Sequence, residues 1–428
     1  MISRPLGPFE GLFTESREQV QFVLELSSPK YLPKIVDQLI DSINAFRLKT
    51  DGENLIYSSK NIPAVHQIPS EFKSTYDVAK YVSSIPLDYS KTLANIAVDD
   101  HRVAVNVSHM VCDGGFFVDL FKRITENRVL PNDPNGFLPY KMEELFKNEV
   151  ENTDPKLVKA HVDSVKLLSA VNWSHSSTND SIMDCKSVYV ENEVKNMRFT
   201  KDKVGLTDSL WTSLALAYNA HSGSLDHLFN QNSNMNIFDK NQLHNIFGVS
   251  TCVDLRNKLL PEQINKNVCN NFTSIFVIPN MSNLTERSTI RELAVEMRKD
   301  FLTKRDNGSF FATIKAILNG FPEQPTPTAY AEVSHIGRFV MKPPIVDVYI
   351  GQTMKSKPIE MLMPLSVFSK SSETTNTVIT RMQYSPTVMT EKDAQTITNM
   401  VVHALRNIPN DVTIREAYEE LSALKNKI

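Results

Sequence analysis

The sequence predicts a mixed α/β fold made of two lobes, each with its own mixed β-sheet. Helical and strand patterns interleave along the 428 residues without strict alternation, which favours mixed sheets over parallel ones. A polar stretch dense in Ser, Asn and Asp, residues 172–184, interrupts these patterns before the midpoint of the chain, and an Asn-rich stretch follows at residues 230–245. Both stretches are typical of surface loops. We place the crossover at the first stretch, with an N-terminal lobe over residues 1–180 and a C-terminal lobe over residues 181–428.

The individual elements follow from the spacing of apolar residues. Helical spacing predicts helices over residues 34–46 and 208–220, and a third helix that begins at Thr390 and ends near Ile408. Thr390 suits a helix start because Asp393 stands three residues later and completes a capping box. Short apolar or alternating runs predict strands over residues 102–108, 249–255 and 274–278.

Composition and charge exclude several classes of function. The chain has 46 Lys and Arg against 49 Asp and Glu, a net charge of −3, so it lacks the cationic surplus of a nucleic-acid-binding protein. Only 13 glycines are present, and no GxGxxG, GxxxxGK[ST] or GxSxG motif occurs. The sequence therefore argues against a dinucleotide site of the Rossmann type, a P-loop and an α/β-hydrolase nucleophile.

Targeting and cysteine patterns predict a cytoplasmic protein. The N-terminal segment lacks the apolar core of a signal peptide, and no run of about 18 apolar residues predicts a transmembrane helix. The four cysteines have neither CxxC spacing nor partner histidines at zinc-like intervals, so we expect free thiols in a reducing compartment and no metal site. They are Cys112, Cys185, Cys252 and Cys269.

One segment carries the chemistry of a candidate active site. The alternation of valines over residues 102–108 predicts a buried strand, and its parity places His109 on the valine face. Gly114 and Gly115 permit a tight turn or the close approach of another segment, and an apolar helix follows. His109 is thereby displayed as a base, while the carboxylate of Asp113 can brace the loop. Taken alone, this spacing also fits a histidine with a purely structural role.

Residues 109–115 (HMVCDGG) resemble the HxxxDG motif of the chloramphenicol acetyltransferase-like superfamily of CoA-dependent acyltransferases. Residues 252–256 (CVDLR) are similar to its VDLR strand, and residues 333–337 (VSHIG) resemble its SNxG signature, with His335 in place of the usual Asn. Residues 4–10 (RPLGPFE) resemble the RxLGxxE start of the fungal alcohol O-acetyltransferases, the branch closest in pattern. The DFGWG element of the plant BAHD branch is missing.

The resemblance implies a pseudo-dimer of two chloramphenicol acetyltransferase-like lobes with a substrate tunnel at their interface. It implies that His109 is the general base, which takes a proton as the acceptor attacks the thioester of acetyl-CoA in a ternary complex. It implies structural roles at the active site for Asp113, Gly114 and Arg256, with the Asp113 carboxylate paired to Arg256 of the other lobe. No bound cofactor is implied, since acetyl-CoA is a cosubstrate.

The resemblance also places tunnel residues on the SNxG-like segment. Ser334, His335 and Gly337 are expected to shape the tunnel near the acyl-CoA. The oxyanion donor stays open, with Ser334, Ser366 and Thr380 as candidates among the hydroxyl side chains.

Several alternatives stay open at this stage. The main prediction is acetyl transfer to the hydroxyl of a hydrophobic alcohol, but the same base could take the proton of an amine or of a long-chain amino alcohol. A condensation-type enzyme would instead take its acyl group from a carrier-protein thioester, and Cys112, adjacent to the motif, could act as a nucleophile. A non-catalytic member of the fold is disfavoured because His109, Asp113 and Gly114 are all present. A monomer is expected, since the pseudo-dimer is internal.

Overall fold

The computed structural model covers most of the chain. It describes residues 2–61, 63–128, 138–168, 186–193, 204–226, 247–259, 270–320, 330–353, 362–373, 376–384, 389–425 and 427. Both stretches predicted as polar loops, residues 172–184 and 230–245, lie outside the described residues, and so do Cys185 and Cys269.

The described residues form strands and α-helices in an interleaved order. The strands are β1 (Ile2–Pro5), β2 (Gln19–Leu26), β3 (Leu48–Thr50), β4 (Asn54–Tyr57), β5 (Val65–Gln67), β6 (Ala94–Val98), β7 (Arg102–Ser108), β8 (Lys186–Glu193), β9 (Val249–Asp254), β10 (Phe272–Val277), β11 (Tyr330–Val340), β12 (Ile345–Thr353), β13 (Leu362–Ser371) and β14 (Asn376–Tyr384). The helices are α1 (Pro8–Ser16), α2 (Leu32–Ser42), α3 (Thr75–Ser84), α4 (Gly114–Thr125), α5 (Met142–Leu145), α6 (Lys147–Glu151), α7 (Pro155–Leu168), α8 (Leu206–Ser222), α9 (Ile290–Asp306), α10 (Phe310–Leu318), α11 (Glu391–Asn407) and α12 (Ile414–Lys425).

The strands build two large mixed sheets and one small antiparallel sheet. The N-terminal sheet has the order β12-β2-β7-β6-β5, with β5 parallel to β6 and the other pairs antiparallel. The C-terminal sheet has the order β10-β9-β11-β13-β14-β8, and β11 runs parallel to both of its neighbours. The small sheet is β1-β4-β3. This architecture confirms the predicted mixed α/β fold with two mixed sheets.

One strand joins the two parts of the molecule. β12 belongs by sequence to the C-terminal lobe, yet it pairs antiparallel with β2 and places Gln352 opposite Val20 at the edge of the N-terminal sheet. The pairing partners lie more than 300 residues apart along the chain, a separation over which residue patterns do not reveal register. The boundary near residue 180 stays a prediction.

The helices and strands predicted from the sequence lie within a few residues of those in the structure. Strand β7 matches the predicted segment 102–108, and α11 begins after Thr390, whose hydroxyl accepts from the backbone N–H of Asp393. The predicted helix over residues 34–46 ends earlier, at Ser42, because the backbone of Ile43 is extended. A short 3₁₀ turn follows and carries the fully buried Phe46, so the apolar periodicity continues although the helix does not.

The main core contains residues of both predicted lobes. The ring of Phe22 in β2 stacks on Phe117 of α4 at 4.8 Å, and Phe339 of β11 lies 6.3 Å from the same Phe22 ring. Phe368 of β13 packs edge-on against Phe339. Burial of such large rings stabilises the fold and fixes how the lobes meet. Within the described part of the chain, no helix combines the length and apolarity needed to cross a membrane.

Candidate active site

Both lobes hold His109 in place at the end of β7. Its backbone N–H donates to the carbonyl of Glu18 at 2.8 Å, which extends the pairing of β7 with β2 by one residue. Its own carbonyl accepts from the side-chain amide of Asn270, in the C-terminal lobe, at 2.7 Å. A residue tied down on both sides of its backbone presents its ring in a defined direction.

Aromatic packing orients the imidazole. The ring of Phe13 in α1 stacks on His109 with centroids 4.5 Å apart and planes 5° from parallel. Phe272 of β10 lies against the same ring at 5.3 Å. His109 is only 6% exposed, with aromatic rings packed against it, and it lines a cavity.

Burial controls the protonation of His109. Desolvation lowers its pKa below the ordinary value of 6.5, and this effect outweighs the nearby Asp113 carboxylate and a hydrogen bond to the residue's own main chain, which both raise it. The imidazole is therefore neutral at physiological pH and has a lone pair free to accept a proton.

The carboxylate of Asp113 secures the loop after His109. Oδ1 caps α4 by accepting from the backbone N–H of Phe116 at 2.8 Å, and it also accepts from Nη2 of Arg256 at 2.7 Å. Oδ2 accepts from the backbone N–H of Asn271 at 2.6 Å. The expected contact between Asp113 and Arg256 is thus present, and Arg256 also binds the carboxylate of Asp254 at 3.0 Å.

The paired glycines allow close approach at this junction. A Cβ at Gly114 would lie 3.0 Å from the side chain of Ile336, and one at Gly115 would lie 2.5 Å from the guanidinium of Arg256. Gly114 therefore lets β11 approach the start of α4, and Gly115 leaves room for the ion pair that joins the lobes.

A cavity of about 380 Å³ opens in front of His109, at the contact between the lobes. Its lining is largely apolar and combines residues from α1, β2, α4, β9, β10, α10, β11 and β12 with His109, which follows β7. The N-terminal lobe contributes Phe13, Glu18 and Val20 beside His109. This position fits the interfacial tunnel that the family resemblance implies.

The SNxG-like segment forms part of the cavity wall. Ser334 and His335 line it, whereas Gly337 sits at a bulge of β11 with φ of +138° and packs against Val118. Nδ1 of His335 is 3.0 Å from the hydroxyl of Thr207, and burial lowers the pKa of its ring.

The other hydroxyl candidates and the motif cysteine lie elsewhere. Ser366 in β13 and Thr380 in β14 are buried within the C-terminal sheet and are not among the residues that line the described cavity. Cys112 is also buried, with its Sγ 3.7 Å from the carbonyl of Asp113, and it likewise stands outside that lining.

Three titratable residues line the cavity although the sequence does not mark them as site residues. Burial raises the pKa of Glu18 to about 8, and the carboxylate of Glu332 adds to this shift. Burial also raises the pKa of Glu332 and holds that of the Cys252 thiol well above its ordinary value, so Cys252 stays protonated. Nothing in the sequence marks the two glutamates, since neither belongs to the motif that carries the base.

The RxLGxxE segment also has a clear structural role. The guanidinium of Arg4 binds the carboxylate of Glu10 through two hydrogen bonds of 2.5 and 2.7 Å, and Glu10 accepts from the backbone N–H of Gly7 at 2.8 Å. This network fixes the start of α1, the helix that carries Phe13 to the imidazole. Among the described residues, no group of His, Cys, Asp and Glu is arranged to hold a metal ion.

Comparison with known proteins identifies the fold. No family profile matches the sequence, and no curated protein sequence matches it either. Among solved structures, polyketide synthase associated protein 5 of Mycobacterium tuberculosis is similar over 95% of this chain and 98% of its own, with a TM-score of 0.61 and 14% identity. The trichothecene 15-O-acetyltransferase of Fusarium sporotrichioides matches over 94% of each chain, with a TM-score of 0.60 and 12% identity.

A condensation domain gives the same result. The first condensation domain of the calcium-dependent antibiotic synthetase, solved with a substrate analogue, covers 97% of this chain and 99% of its own, with a TM-score of 0.57 and 10% identity. Matches at such low sequence identity, even across whole chains, show a shared fold and nothing more. The protein therefore has the two-lobed mixed α/β fold that chloramphenicol acetyltransferase-like proteins and condensation domains share.

Proposed function

We propose that the protein is an acyltransferase that moves an acetyl group from acetyl-CoA to the hydroxyl of a hydrophobic alcohol, with His109 as the general base. The observation that carries this proposal is a neutral, oriented imidazole at the edge of a largely apolar cavity between two lobes. Such a cavity suits an acceptor with an apolar body, and the base meets its polar end.

The chemistry needs one proton acceptor at the point of attack. His109 takes the hydroxyl proton as the acceptor oxygen bonds to the thioester carbonyl carbon, and the carbon–sulfur bond then breaks. No acyl-enzyme forms, in agreement with the buried position of Cys112 and the protonated state of Cys252. Asp113 and Arg256 act on the geometry of the loop and on the contact between the lobes.

The solved structures support acyl transfer as the class of reaction. One is named as a 15-O-acetyltransferase and another as a condensation domain, and both align over nearly the whole chain. The resemblance of residues 4–10 to the alcohol O-acetyltransferases supports a hydroxyl acceptor. The compartment proposed is the cytoplasm and the proposed assembly state is the monomer.

The test measures release of free CoA from acetyl-CoA by the purified protein with a panel of hydrophobic alcohols and amines. We expect acceptor-dependent release that falls by at least about 10²-fold in His109→Ala, as expected when a positioned base is removed. His403→Ala serves as a control, because His403 is a histidine outside the cavity that pairs with Glu420 in α12. Release that survives in His109→Ala would refute the role of the base.

The product formed and the donor used distinguish the remaining alternatives. An amide product with an amine or a long-chain amino alcohol would show that the protein forms amides and not esters. The condensation-domain neighbour makes a carrier-bound thioester the second candidate donor. Transfer from an acyl-phosphopantetheine thioester on a carrier protein, without turnover of acetyl-CoA, would establish that alternative.

A further inference from the structure

A second titratable side chain faces the same point of the cavity as the base. Oε1 of Glu18 lies 3.9 Å from Nε2 of His109. Both residues line the cavity, and their side chains are 5% and 8% exposed, respectively. This distance is too long for a direct hydrogen bond, so the two side chains are neighbours in the cavity without being bonded to each other.

The fold holds Glu18 in this position through strands of the N-terminal sheet. Glu18 directly precedes β2, and its carbonyl accepts from the backbone N–H of His109. Its Oε1 accepts a hydrogen bond from the side-chain amide of Gln352 in β12. The carbonyl of Gln352 accepts in turn from the guanidinium of Arg381 in β14, so the C-terminal sheet also supports the carboxyl group.

The surroundings of Glu18 favour its protonated form. Among the described residues, four titratable groups lie close to Glu18 or are linked to it through their pKa values. They are His109, Glu332 of β11, Cys252 of β9 and Tyr89. Burial and the Glu332 carboxylate raise the pKa of Glu18 to about 8, while burial lowers that of His109. At neutral pH, therefore, Glu18 holds a proton and His109 does not.

We propose that Glu18 is the general acid of the acyl transfer and acts opposite the general base His109; this inference rests on the proposed function. His109 Nε2 takes the proton of the acceptor hydroxyl as the new carbon–oxygen bond forms. The Glu18 carboxyl gives its proton to the sulfur as the carbon–sulfur bond breaks, so that CoA leaves as a thiol. The proton on His109 then passes to the Glu18 carboxylate, which restores the starting state.

The geometry suits a pair of groups that act on one tetrahedral carbon. The attacking oxygen and the leaving sulfur are both bonded to that carbon, so a base and an acid for them must face the same small region. Nε2 and Oε1, 3.9 Å apart, meet this requirement. With a pKa of about 8, Glu18 is a stronger acid than an ordinary thiol such as that of cysteine, about 8.5, so that proton transfer to the leaving sulfur is favourable. Two carboxyl or imidazole groups whose environments push their pKa values apart are the usual mark of an acid–base pair.

The test compares Glu18→Gln with the wild-type protein on two acyl donors. Acetyl-CoA releases an alkyl thiol, which benefits from protonation, whereas S-phenyl thioacetate releases a thiophenolate that leaves without it. We expect kcat/KM of Glu18→Gln to fall by roughly 10²-fold with acetyl-CoA and by far less with S-phenyl thioacetate. Gln keeps the size of the side chain, and a thermal unfolding midpoint measured for each variant reports on folding separately.

A pH profile and a matched control complete the test. For wild type, kcat/KM with acetyl-CoA should fall as pH rises through about 8, where Glu18 loses its proton, and this fall should be absent in Glu18→Gln. Glu332→Gln removes the neighbouring charge that raises the pKa of Glu18, so the fall should move to lower pH and the preference between the two donors should remain. Equal losses for both donors in Glu18→Gln, with the alkaline fall retained, would overturn the assignment. Loss of activity in His109→Ala alone tests the proposed function, so the two failures are distinguishable.

Discussion

Replacement of Asp113 by Ala should act mainly on stability, because its carboxylate is fully engaged in holding structure. The side chain is 5% exposed and accepts hydrogen bonds from the Phe116 and Asn271 backbone N–H groups and from Arg256. None of these partners is a group that the proposed chemistry uses. The change removes a helix cap, a link to the C-terminal lobe and one half of a buried ion pair at once.

The size of the loss follows from these three contacts. Removal of the cap costs about 1 kcal/mol, and an unsatisfied buried N–H at Asn271 costs about 1–3 kcal/mol. Breaking a buried ion pair costs about 3–5 kcal/mol, but Arg256 keeps its contact with Asp254 at 3.0 Å and is 19% exposed. The three effects share one side chain and are not additive, so we expect a loss of about 3–5 kcal/mol in the free energy of unfolding.

Urea denaturation of the wild type, Asp113→Ala and Asp113→Asn measures this loss. Asn keeps an acceptor for the Phe116 N–H but removes the charge that faces Arg256, so Asp113→Asn should fall between the other two. A loss below about 1 kcal/mol in Asp113→Ala, combined with abolished acyl transfer, would refute the structural role and make Asp113 part of the chemistry.

Four further predictions concern other residues of the site. The kcat/KM for acyl transfer should rise with pH through a midpoint below 6.5, because burial lowers the pKa of His109 and only the neutral imidazole accepts a proton; a midpoint above 6.5 in a pH–rate profile would contradict this. Phe13→Leu removes the ring that stacks on His109 and should lower kcat with a smaller change in the KM for the acceptor, as initial rates over a range of acceptor concentrations would show. Gly337→Ala places a Cβ at φ of +138° and near Val118, so a chemical denaturation series should show a loss of about 1–3 kcal/mol. Cys112→Ala should retain CoA release, and its loss in a correctly folded variant would revive the thiol mechanism.

The parts of the site that were predicted from sequence are those encoded locally. His109, Asp113 and Gly114 stand within six residues, so the strand–turn–helix pattern alone positions them relative to one another. Their link to Arg256 came from a second motif in the expected order, and the ion pair at 2.7 Å agrees with it. The direction of the His109 ring, by contrast, depends on Phe13, which the sequence showed only as one apolar residue among many.

The parts that were missed depend on pairing between distant segments. Glu18 comes next to His109 because β2 and β7 pair, and Gln352 reaches Glu18 because β12 joins the same sheet from the other half of the chain. Glu332 reaches the cavity through the parallel pairing of β11 with β9. Register between strands separated in this way is set by the packed structure, which single-sequence patterns do not encode.

The most direct test of the account is CoA release by the wild type, His109→Ala and His403→Ala under identical conditions with acetyl-CoA and the best acceptor of the panel. The wild type and His403→Ala should release CoA at similar rates, and His109→Ala should release it at least about 10²-fold more slowly at an unchanged thermal unfolding midpoint. Equal release by the wild type and His109→Ala would contradict the central claim that this buried, neutral imidazole is the base.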